Sequence, residues 1–219
     1  MIILTGASGG IGQAIYPALN KIESTLGLYC KNKPNYIGDS KQVDITNLEA
    51  IKEFVRVISL RHVTLVHLAA LKIDELAVFC NEANWDKVMG VNLKGNFLLT
   101  KEILGIMTKE KWGRIIHIIS SGLGDIGTLT YSTSKFALVG MSQVLAREYA
   151  KFGITSNVLQ LGYFETGMWN KLSDAKKKEL LYEIPSKQLG NVQNIVNAIE
   201  FIIKSDFVNG AVIPIDGGI

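Results

Sequence analysis

A single α/β domain is predicted over residues 1–219: a doubly wound parallel sheet of about seven strands with helices on both faces. Three observations predict it. Short β-rich apolar runs alternate along the chain with longer helical stretches. Those runs lack the polar alternation of half-exposed strands, so they suit a sheet covered on both sides. And 219 residues are enough for one well-packed core but not comfortably for two.

The elements follow in order. Ile2–Leu4 opens the sheet and Gly10–Asn20 is the first helix, with Pro17 inside it at a position expected to kink. Thr25–Tyr29 is the second strand. Between Tyr29 and Gln42 the chain carries Asn32, Pro34, Asn35, Gly38 and Asp39, too polar and turn-rich for a helix, so a loop is expected to replace the crossover. Gln42–Val43, Val63–His67, Arg114–Ile119, Thr155–Leu159 and Ala211–Ile215 complete the strands. Leu48–Leu60, Asn84–Lys109, Thr130–Tyr149, Asp174–Tyr182 and Val192–Lys204 read as helices between most of them. Right-handed crossovers then produce the doubly wound arrangement.

Composition narrows the function. Apolar residues make up 47% and charged residues 20%, ordinary globular usage, so disorder is not expected. A net charge of +3, spread along the chain, gives no argument for nucleic acid and mildly favours anionic ligands. The run Lys176, Lys177, Lys178 reads as a solvated helix face. Two cysteines, Cys30 and Cys80, with no Cys/His cluster, point to a reducing compartment and no metal. The N-terminus reads as a strand rather than a leader, and no apolar run is long enough to cross a bilayer. A soluble cytoplasmic protein is expected, with no membrane partner.

Thr5-Gly6-Ala7-Ser8-Gly9-Gly10-Ile11-Gly12 links the first strand to the first helix. Glycines are needed where the chain turns sharply and where backbone approaches a diphosphate or packs on the sheet. Unpaired N–H groups and the helix dipole then face an anion. Gly6, Ser8, Gly10, Ile11 and Gly12 are therefore candidates for holding a dinucleotide. An acid at the end of the second strand would bond the ribose hydroxyls and repel a 2′-phosphate. Here the sequence is Leu28-Tyr29-Cys30-Lys31-Asn32-Lys33, which favours NADP(H) with Lys31 at the phosphate and leaves NAD(H) open. Asp44 and Ile45 end the third strand at the adenine. Asp44 could instead cap the next helix, a role Thr46 or Asn47 could share.

Tyr131-Ser132-Thr133-Ser134-Lys135 puts a phenol and an ammonium on one helix face. A tyrosine titrates near about 10, and bringing it to neutrality requires roughly 4 kcal/mol. A lysine charge about 4 Å away supplies that at an effective dielectric of about 20. The pair therefore suits general acid/base work. Arg114 to Ile119 is a buried strand running into Ser120, Ser121 and Gly122, which places a hydroxyl at the strand's carboxyl end, where ligands of open α/β sheets sit. Ser120 or Ser121 could donate to an oxygen gaining charge, Ser120 being the stronger candidate. Asn92, between Gly90 and Gly95, weakens an otherwise helical stretch, and a local break holding a water beside the lysine would explain it.

With Gly6, Gly10, Gly12, Asn92, Ser120, Tyr131 and Lys135 in this order, the sequence resembles the short-chain dehydrogenase/reductases over essentially the whole chain. Within them it is most similar to 3-oxoacyl-(acyl carrier protein) reductases, through Trp85–Leu93 and Ile184–Gly190. The resemblance implies a Rossmann-type NAD(P)-binding domain and an oxidoreductase in which Asn92, Ser120, Tyr131 and Lys135 are catalytic. It also implies that Lys135 binds the nicotinamide ribose, that the Ala69 backbone faces the adenosine ribose, and that Gly162, Phe164 and Thr166 contact the nicotinamide end. Departures are His67-Leu68-Ala69-Ala70 where the family has Asn-Asn-Ala-Gly, Leu161 in place of a usual proline, Gly167 where an acid is common, and a short Ser120–Tyr131 loop.

The expected reaction is reduction of a ketone, including a 3-oxoacyl thioester, by NADPH. Tyr131 protonates the oxygen, Ser120 stabilises its charge, Lys135 lowers the tyrosine pKa, and Asn92 positions a relay water. Phe164, Met168, Trp169 and Leu172 form a lid over an apolar substrate portion, or are ordinary core. An alcohol or polyol dehydrogenase is the alternative, and a non-catalytic nucleotide sensor a further one. Apolar residues around Asn84–Lys109 and Thr130–Tyr149, among them Phe97, Leu98, Leu99, Ile103, Phe136, Leu138, Val139, Met141 and Val144, suggest a homodimer or homotetramer.

Overall fold

In a computed structural model, which describes residues 1–59, 61–167 and 169–219, seven parallel strands form one sheet. They are β1 (Ile2–Thr5), β2 (Thr25–Tyr29), β3 (Ser40–Gln42), β4 (Thr64–His67), β5 (Gly113–Ser120), β6 (Ile154–Leu161) and β7 (Val212–Ile215). Their order across the sheet is β3-β2-β1-β4-β5-β6-β7. The chain runs outward from β1 to β3, then returns to the other side of β1 to start β4. That reversal opens a crevice beyond the carboxyl ends of β1 and β4, where ligands of such sheets bind.

The helices are α1 (Gly10–Ile22), α2 (Leu48–Val57), α3 (Glu82–Met89), α4 (Gly95–Glu110), α5 (Leu129–Tyr149), α6 (Asp174–Glu183) and α7 (Val192–Lys204). Strand residues alternate between the two faces. Ile2, Leu4, Val66, Ile116 and Leu159 pack with Ile15 and Leu19 of α1 and Ile195 and Ile199 of α7. Ile3, Leu65 and Ile115 pack on the other face with Ile51 and Phe54 of α2 and Leu99 and Ile103 of α4. Both faces are thus covered, which accounts for strands without polar alternation. Proline sits in β7, an edge strand that tolerates a missing N–H.

The expected loop between β2 and β3 is present. Its Tyr36 ring stacks on Tyr16 of α1 at 3.6 Å between centroids, occupying the space of a crossover helix. Tyr16 donates its hydroxyl to the Thr25 carbonyl at 2.8 Å, which ties that stack to the sheet. α1 continues past Pro17 as one element. Asn47 caps α2, its Oδ1 accepting from the N–H groups of Glu49 and Ala50, so Asp44 is not the cap. The predicted helix end at Leu60 lies outside the described residues.

One prediction needs correcting. The stretch Asn84–Lys109 is not a single helix: α3 and α4 are joined by a π-helical turn at Gly90–Lys94. Such wide turns mark functional sites in helices. Asn92 stands at its centre, so the predicted local break is real and takes this form. Among the described residues no helix is long and apolar enough to cross a membrane, and no group of His, Cys, Asp and Glu is arranged for a metal.

Candidate active site

The carboxyl ends of the strands open onto one cleft of about 1590 Å³. All the predicted nucleotide-binding residues line it: Gly6, Ser8, Gly10, Ile11 and Gly12 at the turn, Lys31, Asp44 and Ile45 at one end, Ala69 on the floor, and Gly162, Phe164 and Thr166 at the other end. Ser120, Tyr131 and Lys135 line the same cleft. Asn92 does not; it is fully buried one layer behind.

The glycine turn has steric reasons for its residues. Gly6 adopts φ +66°, and a Cβ there would lie 2.7 Å from the Ala69 backbone. A Cβ on Gly10 would lie 2.2 Å from the main-chain nitrogen of Gly167. The Gly6 turn therefore packs on the end of β4, and the α1 N-terminus packs on the segment after β6. Gly167 itself is favoured by its φ of +54° rather than by lack of space, since a Cβ there would meet Gly10 at an ordinary 3.5 Å. No side chain caps α1 and its first turn holds no acid, so the helix presents unpaired N–H groups and positive charge to the cleft. The Thr166 hydroxyl, which lines the cleft, has no partner among the described residues. These features fit a dinucleotide diphosphate.

Thr5 is a positioning residue that the motif reading passed over. Its hydroxyl accepts from the N–H groups of Leu68 and Ala69 at 3.1 and 3.0 Å, fixing the chain beyond β4 to β1. Beyond β3, Asp44 accepts from the N–H and hydroxyl of Thr46 and lies beside the Cys30 thiol, which burial and then that carboxylate push up. An acid therefore does approach the end of β2, but from the chain after β3.

Tyr131 is buried and lines the cleft together with Ser120. Ser120 accepts from the Gly122 N–H at 3.3 Å. Ser121 instead turns its hydroxyl to the Leu161 carbonyl of β6, a structural bond that removes it as a candidate. Lys135 is 2% exposed and donates to the Ile118 carbonyl at 2.7 Å; burial lowers its pKa to about 8.

One expectation about this group is corrected. Tyr131 is not made acidic by Lys135 here: burial pushes the phenol up to about 12, with Asp74 adding to the rise and Ser120 opposing it. The lysine bonds β5 instead, 5.8 Å from the tyrosine ring centre, so its charge does not overcome desolvation. The Asn92 side chain is bonded within the protein. Its Oδ1 accepts from the Leu71 N–H at 2.7 Å, and its Nδ2 donates to the Leu71 carbonyl at 2.9 Å and to Ser134 Oγ at 3.0 Å. The amide clamps the π-turn to α5 and to the chain beyond β4.

Of the expected lid, Phe164 belongs to the core under α1 and α7, while Trp169 and Leu172 line the cleft. Met168 lies outside the described residues. Lys176, in the basic run, pairs with Glu179 at 2.6 Å and also reaches the cleft wall.

An open parallel sheet, a glycine turn onto a helix N-terminus, and a Ser-Tyr-Lys group in one crevice define a nucleotide-dependent oxidoreductase architecture. The chain belongs to the short chain dehydrogenase family, which matches residues 1–177. It is 33% identical to a 3-oxoacyl-(acyl-carrier-protein) reductase of Rickettsia felis, over 99% of this chain and 95% of that protein. A reductase of the same name from Salmonella typhimurium is 32% identical with the same coverage. Among solved structures, a putative gluconate dehydrogenase from Agrobacterium tumefaciens superposes with a TM-score of 0.88 at 27% identity, covering 100% of this chain and 94% of that one. The protein is thus an oxidoreductase acting on CH–OH or C=O groups.

Proposed function

We propose that the protein is an NADP(H)-dependent reductase that converts a ketone to a secondary alcohol through Ser120, Tyr131 and Lys135. The observation that carries this reading is that Ser120, Tyr131 and Lys135 line one cleft together with the glycine turn. When bound, the nicotinamide supplies the hydride. Gly6, Gly10 and the N–H groups opening α1 would hold its diphosphate, Thr166 would bond the nicotinamide end, and Lys31 would pair with a 2′-phosphate.

Tyr131, protonated at any physiological pH, donates its proton to the ketone oxygen. Ser120 donates a hydrogen bond to the same oxygen as charge develops there. The resulting phenolate lies near the Lys135 ammonium, which stabilises it until it is reprotonated. Asn92 acts through Ser134 and Leu71, holding the helix turn that carries Tyr131. The likeness to 3-oxoacyl-(acyl-carrier-protein) reductases at about one-third identity favours a 3-oxoacyl thioester as substrate. A second reading, oxidation of an alcohol or polyol, is favoured by the likeness to the putative gluconate dehydrogenase.

Phe97 of α4 and Phe136 and Val144 of α5 are each about half exposed, whereas Leu98, Leu99, Ile103 and Leu138 are core. A second copy of the chain covers the exposed set in this proposal, giving a homodimer or homotetramer. Absorbance loss at the nicotinamide band across a panel of ketones and alcohols, with NADPH and NADH and with Tyr131→Phe as blank, tests the reading. Turnover by wild type and none by the variant is expected. Nucleotide binding with no turnover across the panel would instead make the protein a sensor.

A further inference from the structure

We infer that Lys72 selects the substrate, and that the substrate carries a carboxylate close to the carbonyl that is reduced. This rests on the ketone-reductase reading, and it sets a free oxo acid against the 3-oxoacyl thioester, which carries no carboxylate beside the carbonyl. Two ammonium groups stand 5.8 Å from the centre of the Tyr131 ring. One is Lys135, buried and donating to the Ile118 carbonyl. The other is Lys72, on the chain beyond β4, which lines the cleft and whose side chain is 32% exposed. The first is committed to the protein; the second faces the space where substrate must sit to reach the phenol.

Lys72 already holds a carboxylate: its Nζ lies 3.2 Å from Asp74 Oδ1. Both partners are open to solvent, and exposed pairs of this kind contribute little to stability. A substrate carboxylate can therefore share or take the ammonium at small cost. A plain apolar chain laid along this edge would cover both charges and lose their hydration. A ketone bonded to the Tyr131 hydroxyl and a carboxylate bonded to the Lys72 ammonium, 5.8 Å from the centre of the same ring, can belong to one small molecule. Trp169, Leu172 and Leu180 line another part of the cleft and would take an apolar remainder. The geometry thus favours oxo acids over neutral ketones.

The test compares 2-oxo and 3-oxo carboxylates with their methyl esters, using NADPH and the full-length protein. The quantity read is the ratio of kcat/KM for acid to kcat/KM for ester. In Lys72→Met this ratio should fall at least about tenfold below wild type, mostly through KM for the acid. Lys72→Arg should keep most of the preference, and Lys72→Gln serves in place of the Met variant if that one does not fold. An unchanged ratio in the Met or Gln variant overturns the inference, as does a wild type that reduces neutral ketones and refuses the acids. A wild type that binds NADPH but reduces no carbonyl of any class sinks the reductase reading itself, and the inference with it.

Discussion

Asn92 donates a buried hydrogen bond to Ser134 at 3.0 Å, and Ser134 donates in turn to the main-chain carbonyl of Tyr131 at 2.7 Å. The π-turn between α3 and α4 is thereby bolted to the turn of α5 that presents the phenol. Asn92→Ala would leave the Leu71 N–H and carbonyl and the Ser134 hydroxyl short of partners, at about 1–3 kcal/mol for each buried group. Urea unfolding should show that loss. kcat should fall by roughly tenfold or more, as misplaced catalytic groups do, while dinucleotide affinity holds. Wild-type kcat in a destabilised variant would show that the clamp does not position Tyr131.

The pH profile of reduction should break at the lysine rather than at the tyrosine. Burial holds Lys135 at about 8 and Tyr131 at about 12, so Lys135 loses its charge first on the alkaline side. kcat/KM for reduction is expected to fall above about pH 8, and Lys135→Arg should move that limb upward because a guanidinium stays charged. The same shift has a stability consequence. Between about 8 and the unfolded value of 10.5 the unfolded chain binds the extra proton, so stability rises with pH across that window. Lys135→Met should abolish this rise in denaturant titrations.

A buried imidazole pair lies on adjacent strands. His67 and His117 are paired in register between β4 and β5, with parallel rings 5.0 Å apart. Burial pushes His117 down to about 3, Lys135 adding to the fall, and it pushes His67 well below its ordinary value. Below pH 6.5 the unfolded chain protonates first, so stability should fall by about 1.4 kcal/mol per pH unit for each histidine. His117→Phe keeps a ring at the site and should flatten that acid slope. An unaltered slope would place the acid sensitivity elsewhere.

Gly10→Ala should cost both stability and nucleotide binding. The added methyl meets the Gly167 nitrogen and Cα at 2.2 and 2.3 Å, and both are backbone, so the helix and the segment after β6 must separate. About 1–3 kcal/mol of destabilisation is expected. Fluorescence titration with NADPH should show weaker binding. Tight binding would mean that this contact is not part of the nucleotide cradle.

Much of this was legible locally. Gly6-Ala7-Ser8-Gly9-Gly10 declares a turn wherever it falls in a fold, because side chains there would strike backbone. Tyr131 and Lys135 share a face because four residues of helix bring them there. Asn92 between two glycines announced a break. The β2–β3 loop was readable from its turn residues. What stayed hidden were contacts between segments that local pattern does not connect: Asp44 after β3 beside Cys30 after β2, Gly167 on Gly10, and Lys72 over the Tyr131 ring.

By itself the sequence determined the succession of strands and helices, the glycine turn and the candidacy of Ser120, Tyr131 and Lys135, since each depends on local pattern and spacing. Only the tertiary structure decided the ionisation of that group and the partners of Asn92. Burial is a property of the whole packed chain: it raises the phenol and lowers the ammonium, and it turns Lys135 to the Ile118 carbonyl and Asn92 inward to the protein.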